Sequence, residues 1–312
     1  MRLVFCGTPQ FAVPTLEALL RAGHTVDLVL SQPDRASGRD LKVTFSPVKQ
    51  FAEQQGLPLT QPEKIRHNTG LQQRLSDLAP DAILVVAYGR IIPPWMLTLP
   101  RHGNLNLHAS LLPKYRGAAP IQWAVANGET ETGVTTMRLD EGLDTGDILL
   151  QQRVPISQQQ TSMELFPILA AVGAELMVRT LAGLDQGTLR AVRQDPSSAT
   201  LAPILQREDG RLDWKRTSRE IYDRWRGFQP WPGAFTVFRG KKLILHAMRD
   251  AADALPASAA PGTLVRSGNR LLVACGEGTG LDLLEVQMEG KRRVTVQAFL
   301  NGVLLATEER LG

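Results

Sequence analysis

Apolar runs and polar breaks alternate regularly over the first 190 residues. Leu3–Cys6 and Val26–Leu30 are short apolar stretches, each predicting a strand. Between them a helix is predicted over Pro14–Ala22, with proline near its start and Gly23 at its end. Ser46 and Pro47 open another helix that Gly56 closes. The run DAILVVAYG, Asp81–Gly89, is continuously apolar, as for a strand covered on both faces. Further strands are expected at Asn104–Ser110, Gly133–Leu139 and Ile148–Val154, with a helix at Ala119–Ala126. Thr161 and Glu164 form a capping-box pattern opening an amphipathic helix that reaches about Leu181. This alternation predicts an α/β fold: a doubly wound, mostly parallel, Rossmann-like sheet with helices on both faces.

The pattern then changes. Residues 188–206 carry QDPSSATLAP and read as a linker. Beyond it, one helix (Ser218–Phe228) precedes five short strands, at Ala234–Phe238, Lys242–His246, Gly262–Val265, Arg270–Cys275 and Leu281–Gln287. A short helix follows at Val296–Leu300. Such spacing predicts a small antiparallel β-barrel, OB-like in form. The expected domains are therefore 1–188, a linker over 189–206, and 207–312.

At 312 residues the chain exceeds what one core usually serves, which agrees with two domains. No run of eighteen apolar residues and no signal-peptide pattern occurs, so a cytoplasmic protein with no membrane contact is expected. Cys6 and Cys275 lie far apart in apolar runs; two inert buried thiols are expected, with neither a disulfide nor metal spacing. From Arg207 onward 17 Lys and Arg face 13 Asp and Glu, so the last third holds the whole net charge of +4. A surplus of this size suits either a solvated face or contact with nucleic acid. GTPQF lacks the glycine spacing of a dinucleotide fingerprint and no GxxxxGK[ST] loop exists, which argues against nucleotide-dependent chemistry.

The chemistry-bearing stretch is GNLNLHASLLPKYRGAAP, 103–120. Strand alternation would send Asn106, His108 and Ser110 to one face, at the strand end where open α/β sheets bind ligands. SLLPKYRG after it is a loop punctuated by Pro113 and Gly117. The acidic turn Asp140–Asp147 follows a later strand, and VVAYGRIIP ends a neighbouring strand beside apolar Ile91 and Ile92. A carboxamide and an imidazole suit the oxyanion of acyl transfer, with a carboxylate to orient the imidazole. No serine or cysteine nucleophile stands in a motif. Phe11, Trp123 and Trp231 suit either core packing or stacking on a ligand, core packing being expected.

The stretches LNLHASLLPKYRGAAPIQWA and ETGVTTMRLDEGLDTGDIL resemble the folate-dependent formyltransferases. FCGTPQFA, SQPDRASGR with SPVK, VVAYGRIIP, DGRLDW, GFQPWPGAF and QMEGKRRVTVQAFLNG extend the resemblance through the chain, to the branch that formylates methionine on initiator tRNA. The resemblance implies Asn106, His108 and Asp144 as catalytic, with Asn106 and His108 holding the oxyanion and Asp144 orienting His108. It implies Ser110, Leu111, Leu112 and Pro113 in a tetrahydrofolate-binding loop, with Ile91 facing the pterin. The co-substrate would be 10-formyltetrahydrofolate, with no metal, and the acceptor methionyl-initiator tRNA. Arg39 and Lys42, in the insert ASGRDLK, would contact the tRNA, as would basic clusters at 215–216, 241–242 and 291–293. A monomer is expected. Arg90, Leu201 and Ile204 stand where the family often has glutamine, tyrosine and lysine. Three other readings remain: formylation of an amino-sugar nucleotide, hydrolysis of formyl-folate, and an RNA-binding protein with an inactive enzyme domain.

Overall fold

The computed structural model describes residues 1–37, 42–251, 255 and 259–312. In chain order it begins β1 (Arg2–Gly7), α1 (Val13–Arg21), β2 (Thr25–Leu30), β3 (Arg35–Ser37), β4 (Lys42–Thr44), α2 (Pro47–Gln54), β5 (Leu59–Thr60), α3 (Thr69–Leu78) and β6 (Ala82–Val86). It continues α4 (Pro94–Leu97), β7 (Asn104–His108), β8 (Arg116–Gly117), α5 (Pro120–Ala126), β9 (Glu131–Arg138), β10 (Ile148–Pro155), α6 (Ser162–Asp185) and β11 (Leu201–Ala202). The remainder is α7 (Ser218–Gly227), β12 (Phe235–Phe238), β13 (Lys241–Asp250), β14 (Leu264–Ser267), β15 (Arg270–Ala274), β16 (Gly280–Met288), β17 (Val294–Thr295) and α8 (Val296–Gly302). The chain divides into two compact units. One comprises Met1–Pro120, Glu131–Pro155 and Glu164–Pro203; the other comprises Ile121–Thr130, Ile156–Met163 and Ile204–Gly312.

The first unit is built on a seven-stranded sheet in the order β5-β2-β1-β6-β7-β9-β10. The first five run parallel, while β9 and β10 add antiparallel pairings at one edge. β6 is apolar throughout because both its faces are covered; every residue of β6 is buried, and so is every residue of β7 despite its two asparagines and its histidine. From β1 the chain winds outward through β2 and β5, then returns to add β6 and β7 on the other side. That reversal places the topological switch point of the sheet between β1 and β6, and ligands of open α/β sheets bind at the carboxyl ends of such strands.

Two strand ends differ from expectation. The run Asp81–Gly89 yields only Ala82–Val86, since Ala87 (φ 46°) and Gly89 (φ 73°) take left-handed backbone and turn the chain out of the sheet. The strand expected to reach Ser110 stops at His108. The Ser110 carbonyl there accepts the Thr135 hydroxyl at 2.7 Å, and its own hydroxyl donates to the Lys114 carbonyl. Ser110 therefore lies outside the strand alternation.

Gly173 of α6 comes so close to β7 that a Cβ there would lie 2.7 Å from Leu107 Cδ2. That contact seats the Leu107 side of β7 on α6, and Asn106 and His108 project from the opposite face. The helix is long and apolar enough by composition to span a membrane, yet Leu165, Leu169, Met177 and Leu181 are buried in the protein. The segment expected as a linker contributes residues 189–203 to this unit: Val192 bridges Ile148, and β11 pairs in parallel with β8.

The second unit carries an antiparallel sheet of half-barrel form in the order β12-β13-β16-β15-β14, with β17 added on β16. Its core gathers Trp214, Ile221, Leu243, Leu245, Leu271, Val273, Leu281, Val286 and Phe299. The Trp214 indole N–H, which burial would otherwise leave unpaired, donates to Thr236 Oγ1 at 3.0 Å. A reciprocal cap between Thr217 and Glu220 starts α7. On α7, buried Asp223 accepts from Arg226 Nε at 2.6 Å, and Arg226 Nη1 donates to the Ser157 and Gln160 carbonyls.

Candidate active site

β7 lies between β6 and β9, with Asn106 opposite Val85 on one side and Met137 on the other. His108 pairs with Thr135, and both functional side chains are almost fully buried at the strand end. Asn104 and Asn106 share one strand face but differ in their ties. The Asn104 amide donates to the Met96 carbonyl at 2.7 Å. Among the described residues the Asn106 carboxamide makes no hydrogen bond within the protein, so its donors are free for a bound molecule.

His108 is hydrogen-bonded at one ring nitrogen and faces a carboxylate at the other. Nε2 lies 2.9 Å from the Tyr115 carbonyl, which only accepts, so Nε2 carries a proton. Nδ1 faces Asp144 Oδ2 at 3.6 Å, a charge contact longer than a hydrogen bond. With the Nε2 proton committed to Tyr115, the oxyanion role expected of His108 would fall to a protonated Nδ1. Nδ1 is the nitrogen available for proton exchange, and Asn106 is the untied donor.

The chain on the far side of His108 is shaped by its backbone. Leu112–Pro113 is a cis peptide, and Tyr115 takes φ 61°, which directs its carbonyl to His108. Gly117 N–H donates to Asp144 Oδ2 at 2.8 Å. Gly117 has φ 121°, and a Cβ there would lie 2.6 Å from the Ala202 carbonyl, so glycine is required for β8 to meet β11. Asp144 itself sits at φ 52°, a conformation aspartate tolerates better than most residues.

Sequence reasoning passed over the groups that hold this arrangement. Gln194 donates through Nε2 to the Asp144 carbonyl at 2.8 Å and the Gly146 carbonyl at 2.7 Å. Its Oε1 accepts from Arg116 Nε and Nη2 at 3.0 and 2.7 Å. Thr200 Oγ1 accepts from Tyr115 N–H at 2.9 Å. Thr135 and Gln151 fix the folate-loop candidates: Leu112 N–H donates to Thr135 Oγ1, and Gln151 Nε2 donates to the Leu112 carbonyl. Gln194 and Thr200 lie in the segment that reads as a linker, and Thr135 and Gln151 in strands β9 and β10; no local signal in the sequence marks any of the four.

The other predicted residues fall as follows. Ser110 and Leu112 are buried in the turn after β7, with Leu111 and Pro113 beside them partly exposed. Ile91, expected to face a ligand, is 93% exposed, whereas Ile92 packs on the core beside β6. Ile91 thus lines no enclosed slot in this structure. Lys42 begins β4, and Arg39 lies outside the described residues. Arg90 donates through Nη1 to the Glu63 carbonyl, while Leu201 and Ile204 are exposed. Phe11 packs edge-on against Phe166, and Trp123 against Phe228; Trp231 is half exposed and departs from the core reading. Burial pushes the Cys6 thiol far up and the Cys275 thiol up to about 12, so neither is a nucleophile near neutral pH.

An unpartnered amide, an imidazole and a carboxylate at a strand end can carry acyl transfer to an amine without a covalent enzyme intermediate. Comparison with known proteins bears on that chemistry. Residues 1–181 match the family described as formyl transferase, and residues 204–304 match the formyl transferase C-terminal domain. The methionyl-tRNA formyltransferase of Acidobacterium capsulatum is 63% identical over 312 residues, all of both chains. That of Koribacter versatilis is 56% identical over all of this chain and 99% of its own. Among solved structures, an N-formyltransferase from Helicobacter canadensis, in complex with folinic acid and dTDP-3-aminofucose, aligns with TM-score 0.67 at 19% identity. It covers 92% of this chain and 98% of its own. HypX from Aquifex aeolicus, in complex with tetrahydrofolic acid, aligns with TM-score 0.63 at 16% identity, over 96% of this chain and 47% of its own. The matched residues span most of both units, and the chain belongs to the formyl transferase family.

Proposed function

We propose that this protein transfers the formyl group of 10-formyltetrahydrofolate to the α-amine of methionine esterified to initiator tRNA, in the cytoplasm. The observation that carries the choice of acceptor is 63% identity, over the whole of both chains, with a methionyl-tRNA formyltransferase. The untied Asn106 amide, buried at a strand end, fits a carbonyl oxygen that gains negative charge.

As the amine attacks the formyl carbon, Asn106 donates to the oxygen that becomes an oxyanion. His108 takes the proton lost by the amine at Nδ1, the nitrogen left open by the Nε2 bond to Tyr115. Asp144, 3.6 Å away, stabilises the imidazolium so formed. His108 then returns the proton to the departing nitrogen of tetrahydrofolate as its bond to carbon breaks. Residues 110–113, held by Thr135 and Gln151, form the wall assigned to the folate.

The second unit, with its basic surplus, and the insert carrying Arg39 and Lys42 are assigned to the tRNA. Affinity for tRNA therefore falls as salt rises. The deciding experiment supplies formyl-folate with methionyl-initiator tRNA, methionyl-elongator tRNA, an amino-sugar nucleotide, or no acceptor. Rapid formylation of initiator tRNA alone is expected. Preference for the sugar nucleotide, or formate released faster than formyl-amine, refutes the assignment.

A further inference from the structure

Gln194 lies outside every element expected to carry chemistry, yet it is only 5% exposed and all its hydrogen-bonding capacity is used. Its two N–H groups span the acidic turn by binding the carbonyls of Asp144 and Gly146. Its oxygen receives two N–H groups from Arg116. Arg116 stands between Tyr115, whose carbonyl binds His108 Nε2, and Gly117, whose N–H binds Asp144 Oδ2. A single carboxamide thus ties together the two pieces of chain that set the distance from imidazole to carboxylate. The segment bearing it is itself pinned, since Val192 and Ile148 exchange both backbone hydrogen bonds at 2.8 Å.

From this geometry we infer that Gln194, with Arg116, is a positioning residue for formyl transfer, acting through Asp144 and His108 rather than on substrate. The inference rests on the proposed roles of those two residues. Purely structural polar groups hold a fold together without selecting one side-chain geometry. Gln194 instead holds Asp144 in left-handed backbone (φ 52°) and ties the same turn to the strap that binds His108. Without the two donated bonds, Asp144 gains freedom to leave the imidazole, and the proton-accepting nitrogen loses its counter-charge.

The test uses the full-length protein and three substitutions: Gln194→Met, Gln194→Glu and Asp144→Asn. Gln194→Met keeps the volume and removes every hydrogen bond; Gln194→Glu keeps acceptors for Arg116 but has nothing to donate to the two carbonyls. Turnover per active site, KM for both substrates, the pH profile of kcat and thermal stability are measured for each. Both Gln194 variants should lose about ten- to a hundredfold in kcat while each KM stays within about threefold. Each should also shift the acid limb of the kcat profile. Added to Asp144→Asn, either Gln194 change should cost less than about threefold more, because both act on one pair. Unchanged kcat in folded Gln194→Glu, or effects that multiply fully with Asp144→Asn, overturns the inference. If Gln194→Met does not fold, Gln194→Glu decides alone; if neither folds, Gln194 is a structural residue and the inference falls. Should Asp144→Asn itself keep full turnover, the assignment of Asp144 fails whatever the Gln194 variants do.

Discussion

Asn104 and Asn106 offer a comparison within one strand. Both lie on the same face of β7, two residues apart, and both are at least nine-tenths buried. The Asn104 amide is tied to the Met96 carbonyl, whereas among the described residues the Asn106 amide is tied to nothing. Substituting each by alanine should separate stability from catalysis. Asn104→Ala leaves the Met96 carbonyl without its donor inside the protein, a loss of about 1–3 kcal/mol of unfolding free energy. Asn106→Ala removes no internal bond, so its stability should stay within about 1 kcal/mol of the parent. Its cost falls on the transition state: one missing oxyanion donor raises the barrier by about 3 kcal/mol, roughly a hundredfold or more in kcat. Urea denaturation gives the first quantity and single-turnover formylation the second. The reasoning is refuted if Asn106→Ala keeps kcat within tenfold of the parent. It also fails if Asn104→Ala, folded, loses as much kcat as Asn106→Ala does.

Other consequences concern stability. Asp223→Ala would leave Arg226, which is 1% exposed, without its carboxylate, and should cost about 3–5 kcal/mol in urea denaturation; a change under about 1 kcal/mol would contradict that. Hydrogen bonds from Gln61 and Lys49 hold the Asp34 carboxyl below the usual carboxylate range, with Lys49 Nζ at 2.5 Å. A carboxyl lowered by folding adds stability above its unfolded pKa and loses it as pH falls through the folded value. The stability gap between parent and Asp34→Asn should therefore be open at pH 6 and narrow steadily below about pH 4; a gap constant across that range would show that this pair does not titrate with folding.

β1, β2 and β6 were legible because continuous apolar runs have one stable place, a sheet covered on both faces, whereas the two- and three-residue strands β3, β4, β5, β8 and β11 are too short to leave a pattern. The face of β7 was legible too, since two-residue alternation put Leu107 against α6 and Asn106 with His108 opposite. Where β7 stops was not, because its end depends on the Thr135 hydroxyl capturing the Ser110 carbonyl from a distant strand. The same holds for the state of His108, set by a carbonyl that only the left-handed Tyr115 can aim. Residues 189–203 read as a linker because their polar composition has no period, yet Gln194 and Thr200 are buried or bonded against the site. Nothing local distinguishes a polar residue that braces an acidic turn from one that faces water. Ile91 and Ile92 illustrate the same limit: adjacent and alike in sequence, one is exposed and the other packs on the core. α3 escaped notice because only Leu71, Leu75 and Leu78 mark its inner face among polar neighbours.

The central claim is that His108, held between Tyr115 and Asp144, moves the proton that formyl transfer must move. Single-turnover formylation of methionyl-initiator tRNA by His108→Ala, at saturating formyl-folate and with folding confirmed, tests it most directly. The account predicts a rate at least about a hundredfold below the parent. A rate within tenfold of the parent would contradict it.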